Sequence, residues 1–320
     1  MRTLLLTRSD VSRNLQAPTL LEDMREAFRS DALARTVAPQ RARASLHAQG
    51  TAMVLFPGSL PGIPAYTVKV HAKFPAQTPA IQGVVQLHDL GTGALMAVMD
   101  SGHLTAVRTG VTGALAADVL ARPDASRVAL IGAGRQAVLQ LKSLRLVRSL
   151  DHVRVFDTEP ARALAFATRM YNEVNLPVRL ADSVAEAVED ADIVITATWS
   201  RQAFLHPGMV RPGTHIITLG SDEPGKAEVA AELLRQAFLV VDHRALCVAG
   251  GAVGGAGLGE DAIQAELGEL VAGMKPGRTS AEQVTVFAPV GLPFQDLAAA
   301  WHVYQAAQGD DAVQTLDFGA

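Results

Sequence analysis

Between residues 127 and 242, short apolar runs alternate with helical patterns, and this alternation restricts the chain more than any other feature. The runs are Val128–Ile131, Val153–Phe156, Val178–Leu180, Ile193–Thr196, His215–Leu219 and Phe238–Val241, with helical stretches over 136–148, 160–173, 183–189 and 227–235 between them. Apolar strands separated by helices build a parallel sheet covered on both faces. Right-handed crossovers then gather the ligand-binding loops at the carboxyl edge.

Gly132, Gly134 and Ala137 follow the first run at G-x-G-x-x-A spacing. Gly132 permits a tight turn, Gly134 lets a pyrophosphate reach the backbone, and Ala137 lets the next helix pack closely on the strand. Arg135 and Gln136 lie at the entry to that helix over 136–148, whose N-terminal N–H groups would face the anion. Packing alone also produces such turns. The nucleotide reading gains from the second run, which ends in Asp157, 25 residues after Gly132. An acid there accepts hydrogen bonds from ribose hydroxyls and repels a 2′-phosphate, so the expected cofactor is NAD rather than NADP.

Residues 1–100 lack this alternation. They read as strands over Thr51–Phe56, Ala65–Val70, Ile81–Leu87 and Leu95–Met99, the last after a turn at Thr92-Gly93, with one helix near Thr19–Ala34. Leu104, Val107, Val111, Leu115 and Val119 line one face of a helix over 104–121, which Pro123 ends. The Gly-rich stretch 248–259 reads as a flexible connector; a second phosphate loop is the alternative, but no strand leads into it. Residues 261–273 read as a helix. A last helix, Phe294 to Ala307, follows the Pro289–Pro293 break, and its return onto the first stretch would make that domain discontinuous. The expected fold class is α/β: a Rossmann-type parallel-sheet domain over 121–291, plus a discontinuous α+β domain from 1–120 and 292–320.

The chain is 49% hydrophobic and 19% charged, which suits a packed core, and its net charge of −4 without any Lys/Arg run argues against a nucleic-acid partner. No apolar window is long enough for a membrane-spanning helix, so no membrane partner is expected. The start is too short and too soon polar for a signal peptide, and the single cysteine, Cys247, suits a reducing compartment; both point to the cytoplasm. The nine histidines are scattered. His71 and His103 have no partner at ligand spacing, so no metal site is expected and both read as ordinary polar residues.

Three cations stand at informative places: Arg41 after Pro39, Lys69 inside the apolar run Tyr66–Val70, and Arg108 near the start of the long helix. Lys69 is the most telling, because an ammonium in an apolar strand is costly unless paired. Converging, the three would form a carboxylate pocket; singly, each could be a surface or ion-paired cation. Asp222 lies just past a strand in Gly220–Lys226, at the carboxyl edge, where a carboxylate could move protons or simply cap a turn. Thr196-Ala197-Thr198 closes a strand at the same edge, with side chains small enough for a cofactor to lie against the backbone.

The chain resembles the ornithine cyclodeaminase/mu-crystallin family. The likeness rests on Ile81-Gln82-Gly83-Val84-Val85, on Asp100 with Leu104–Thr109, on the Gly132–Ala137 loop, on Gly220–Lys226, and on Glu266–Glu269 through Lys275–Thr279 to Thr285–Phe287. It implies a homodimer joined through β-structure and a second domain that binds a nicotinamide cofactor through Thr109, Gly132, Gly134, Arg135, Gln136, Asp157, Thr196, Ala197, Thr198 and Gly220. It places Arg41, Lys69 and Arg108 on the carboxylate of a small amino- or imino-acid substrate, and makes Asp222, with help from Lys69, the catalytic group. Members that cyclise ornithine carry a Glu where this chain has Val54, which argues for a smaller or apolar side chain, as in alanine dehydrogenases and cyclic-imine reductases. The expected activity is therefore NAD-dependent oxidation or reduction at the substrate Cα. The alternatives are ornithine cyclodeaminase, with NAD used catalytically, and a non-catalytic binder of the mu-crystallin kind.

Overall fold

The computed structural model describes residues 2–35, 37–46, 51–74, 77 and 79–318. It forms two compact units, Met1–Arg108 with Leu292–Ala320, and Thr109–Gly291. The division falls after Arg108 rather than at the end of the helix Ser101–Leu120. The reason is local: Gln140 Nε2 donates to the Thr109 carbonyl at 2.9 Å, and a side chain on Gly110 would come within 2.8 Å of the Leu139 carbonyl.

The first unit is built on strands β1 (Thr3–Leu6), β2 (Arg41–Ser45), β3 (Thr51–Gly58), β4 (Ala65–Lys73), β5 (Ile81–Asp89) and β6 (Leu95–Asp100). With the late strand Gln314–Leu316 they make one sheet in the order Gln314–Leu316, β1, β6, β5, β4, β3, β2. All neighbours are antiparallel except β1 and β6. Alternation along β4 sends Ala65, Thr67, Lys69, His71 and Lys73 to the buried face. The helices Ala17–Ala34 and Pro293–Ala307 complete the core. Leu20, Met24 and Phe28, four residues apart, form the buried stripe of the first, and Phe28 meets Phe294 edge to face with centroids 5.1 Å apart. The second is apolar nearly all round and buried without a break from Pro293 to Ala300, as a helix inside a core must be. The strands β1, β2 and Gln314–Leu316 and the helix Arg8–Asn14 are additions to the sequence reading. That helix carries a capping box, in which Thr7 and Asp10 satisfy each other's backbone.

The second unit holds β7 (Arg127–Ile131), β8 (His152–Phe156), β9 (Arg179–Leu180), β10 (Ile193–Thr196), β11 (His215–Thr218), β12 (Phe238–Val241), β13 (Ala265–Glu266) and β14 (Thr285–Phe287). They form one parallel sheet in the order β13, β12, β14, β11, β10, β7, β8, β9. Strand order reverses between β7 and β10, which makes their carboxyl ends the topological switch point. Two expectations need correction. The Gly-rich stretch is not a connector: it forms the helices Arg244–Gly250 and Ala252–Gly255, because Ala252, Val253 and Leu258 are drawn into the core. Residues 261–273 are not one helix. They break into a 3-10 turn (Glu260–Ala262), β13 and the short helix Leu267–Val271, since Gln264 exchanges backbone and side-chain hydrogen bonds with Leu239 and pulls the chain onto the sheet edge. Strand β14, unread in the sequence, lies between β11 and β12.

Asp192 ties the amino ends of β7 and β10. It accepts from Arg122 and Arg127 Nη2, both at 2.8 Å, from Arg127 Nε at 3.0 Å, and from the Arg127 and Ser126 backbone N–H groups. Burial pushes its pKa up, but these donors outweigh that and hold it at about 2. A carboxylate held below its unfolded value stabilises the fold above the unfolded pKa and loses that contribution as pH falls through the folded one. Asp192→Asn should therefore cost about 2–3 kcal/mol at pH 7. Urea titrations should show the gap from wild type closing as pH drops from about 4 toward 2.

Candidate active site

In the first unit, Lys69 and Arg108 converge on one carboxylate, that of Asp296. Lys69 Nζ lies 2.7 Å from Asp296 Oδ2, and Arg108 Nε donates to Oδ1 at 3.2 Å. Lys69 and Asp296 are both 1% exposed. Lys69 Nζ also donates to Thr105 Oγ1 at 3.2 Å, and Arg108 Nη1 to Gln295 Oε1 at 2.7 Å. The pairing that Lys69 required is thus supplied from the C-terminal helix, whose first turn carries both Gln295 and Asp296. Arg41 stands in register with Leu55, which is in register with Lys69, so all three project from one sheet face; Arg41 Nη2 rests 2.9 Å from Met53 Sδ.

This face is electrically strained. Burial lowers the Lys69 pKa, Asp296 restores part of it, and Arg108 and Arg41 depress it again, to about 7. Burial followed by Lys69 and Lys73 takes His71 down to about 3, so its imidazole is neutral. Asp296 is raised by burial, but Lys69 and Arg108 more than compensate and keep it ionised. The register takes Val54, read from the sequence as the position of the missing Glu, off the Lys69 face. Val54 pairs with Val70 on the face away from Lys69, and Met53 and Leu55 stand on the Lys69 face instead. Strand alternation leaves no other choice.

In the second unit, Gly132 turns the chain at φ 95°, and a side chain there would strike the Ala197 carbonyl at 2.6 Å. Its N–H donates to the Phe156 carbonyl at 2.8 Å. Asp157 Oδ2 accepts from the Ala133 N–H at 2.8 Å, and Oδ1 from the Glu159 N–H at 2.9 Å, so this acid braces the glycine turn. Space over Gly134, the N-cap of the helix Arg135–Leu144, is open: nothing lies within 4 Å of where a side chain would begin. An uncrowded backbone at a helix N-terminus, beside an acid and at the switch point, fits a dinucleotide with its pyrophosphate on the glycine turn.

Glu228, fully buried, organises the rest of this edge. Its Oε2 accepts from Thr196 Oγ1 at 2.7 Å and from Thr218 Oγ1 and the Gly220 N–H at 2.8 Å; Oε1 accepts from the Thr198 N–H and Oγ1 at 2.7 and 2.8 Å. The hydroxyls of Thr196 and Thr198 are therefore turned onto Glu228. Asp222 projects from the loop that Glu228 anchors; its Oδ1 accepts from Lys226 Nζ at 3.0 Å, and that ammonium also sits over the Trp199 ring, 4.2 Å from the centroid. Glu228, Asp296 and Gln295 carried no motif in the sequence. The one available signal was compositional: acids inside otherwise small or apolar segments need a reason to be there. Among the described residues, no group of three or more His, Cys, Asp or Glu side chains could hold a metal ion. No described helix is long and apolar enough to cross a membrane.

The model of the ornithine cyclodeaminase/mu-crystallin family matches residues 1–311. The chain belongs to this family. Solved structures of similar proteins superpose over almost the whole chain. An archaeal alanine dehydrogenase dimer with bound NAD is 31% identical, with TM-score 0.93 over 99% of this chain and 100% of that one. The Δ1-pyrroline-2-carboxylate reductase of Thermococcus litoralis, in complex with NADH and L-proline, is 30% identical, with TM-score 0.93 over 98% and 100%. The iminosuccinate reductase of Paracoccus denitrificans, in complex with NAD+, is 26% identical, with TM-score 0.90 over 99% and 100%.

Removing the charge of Asp296 strands two buried cations. Asp296→Asn should cost roughly 3–5 kcal/mol of stability. It should also move the Lys69 titration, followed by the 13C shift of its side chain, further below its wild-type value of about 7.

Proposed function

We propose that this family member is an NAD-dependent oxidoreductase acting at the Cα of a small amino acid or its imine. When bound, the nicotinamide supplies the hydride acceptor or donor. The single observation that carries the reading is the buried cationic face on which Lys69 and Arg108 are held by Asp296, with Arg41 in register beside them. Arg41, Lys69 and Arg108 act on one another across that face beside Asp296, so it attracts an anion. Arg41, Lys69 and Arg108 bind the substrate carboxylate, each charge-assisted hydrogen bond contributing on the order of 1.5–3 kcal/mol. Lys69, with a pKa of about 7, both donates and accepts a proton near neutrality. Asp222 exchanges a proton with the substrate nitrogen or a water, and Lys226 keeps it oriented. The second unit takes NAD on the Gly132–Ala137 turn, with Arg135, Gln136, Thr109, Thr196, Ala197, Thr198 and Gly220 around it and Asp157 on the adenosine ribose.

The apolar pair Met53 and Leu55 on the Lys69 face offers no acid to a distal ammonium, which disfavours ornithine. The opposite sheet face exposes Val70 and Val84 by 41% and 37%, an apolar surface that a second copy would cover, in keeping with a homodimer in the cytoplasm.

An absorbance screen at the NADH band, run in both directions with alanine, ornithine, lysine, arginine and cyclic imino acids, tests the reading. Turnover is expected with NAD, and NADP should support it far less because Asp157 repels the 2′-phosphate. Proline accumulating from ornithine with trace NAD+ and no net NADH would instead identify a lyase. Asp222→Asn should lower kcat by about 10²–10⁴-fold. Near-normal turnover in that variant would remove Asp222 from the mechanism.

A further inference from the structure

Gln295 has no part in the proposed chemistry, yet it is fully buried in the first turn of the helix Pro293–Ala307. Its Oε1 accepts from Arg108 Nη1 at 2.7 Å, while its Nε2 has no hydrogen-bond partner among the described residues. The amide cannot turn round to relieve this, because a guanidinium only donates and must face the oxygen. The bond gained to a charged donor and the bare N–H that comes with it are of the same order and opposite sign. Gln295 therefore adds little to stability. What it does deliver is geometry.

The turn that carries it is fixed residue by residue. Gly58 at the end of β3 leaves room for the Pro293 carbonyl, which a side chain there would meet at 2.4 Å. Phe294 is held edge to face by Phe28. Asp296 Oδ1 accepts from Arg108 Nε at 3.2 Å, and Gln295 Oε1 takes Nη1. Consecutive residues thus grip two different nitrogens of one planar group. A contact at Nε alone lets the far end of the guanidinium rock; a second contact at Nη1 fixes its plane. Lys69 makes this second grip more important. It draws on the other oxygen of the same carboxylate, Asp296 Oδ2, at 2.7 Å, and a guanidinium that drifted would compete with it there.

Building on the proposed reading in which Arg108 binds the substrate carboxylate, we propose that Gln295 is a positioning residue: its carbonyl oxygen holds the Arg108 guanidinium in the plane in which that group meets the carboxylate. Gln295 acts through Arg108, whose aim it sets, and a misplaced clamp on a substrate weakens both binding and alignment.

Two variants test this. Gln295→Met keeps the length of the side chain and removes the acceptor, and Gln295→Glu keeps an oxygen in its place. The first measurement is the rotation of the Arg108 guanidinium, followed by its 15Nη resonances with NADH present. Separate, slowly exchanging Nη signals are expected in wild type and in Gln295→Glu, and averaged signals in Gln295→Met. The second measurement is calorimetry on the NADH-loaded protein with pyruvate as a small carboxylate probe. Gln295→Met is expected to bind pyruvate about tenfold more weakly, as the loss of one charge-assisted contact implies, with NADH affinity within about twofold of wild type. Averaged Nη signals in wild type, slow rotation that survives in Gln295→Met, or parallel losses of pyruvate and NADH affinity would each overturn the positioning role. Failure of wild type to bind pyruvate would instead overturn the carboxylate pocket on which it builds, and the guanidinium rotation would still decide whether Gln295 holds Arg108.

Discussion

The Asp296 carboxylate is the constraint around which the first unit is organised. An ammonium inside a buried sheet face is tolerated only when a counter-charge is delivered to it with good geometry. Lys69 receives that charge from residue 296, more than two hundred positions along the chain. The C-terminal helix must therefore return to β4, and the first unit is necessarily discontinuous. The same carboxylate fixes Arg108, so two buried cations are held in place by one anion of the protein's own. That arrangement fixes the positions of both side chains, while burial and the neighbouring arginines still hold the Lys69 pKa down at about 7.

The second unit solves a different problem with the same means. At the carboxyl edge of a parallel sheet, backbone N–H groups and hydroxyls accumulate at the ends of adjacent strands. Glu228 satisfies those of β10 and β11 from a single buried carboxylate, and Asp157 does the same for the glycine turn after β7. The loops that carry Thr198 and Gly220 are thereby held by the single side chain of Glu228. Such a support gives the strand ends one reproducible geometry, since every shift would break a buried hydrogen bond.

Much of this was legible in the residues. The βα alternation from β7 to β12 appeared because parallel strands buried on both faces are apolar throughout and need no partner to be recognised. The Gly132 turn was readable because its chemistry is local. Lys69 stood out because it violated the pattern around it. What escaped had weak local signals. Strand β14 is three residues long, β13 two, and both exist only because neighbouring strands offer them a ladder. The glycines after residue 248 argued for a loop, but the apolar residues between them had a core to enter, and burial outweighed propensity.

By itself, then, the sequence determined the class of each half, the place of the Gly132 turn and the set of cations that had to be explained, because periodicity, glycine spacing and a misplaced charge are properties of neighbouring residues. The tertiary structure alone decided which acid meets those cations, which side of β3 faces them, and that Glu228 gathers the strand ends. Those are contacts between residues far apart in the chain, and only strand register and the return of the last helix bring them within hydrogen-bonding reach.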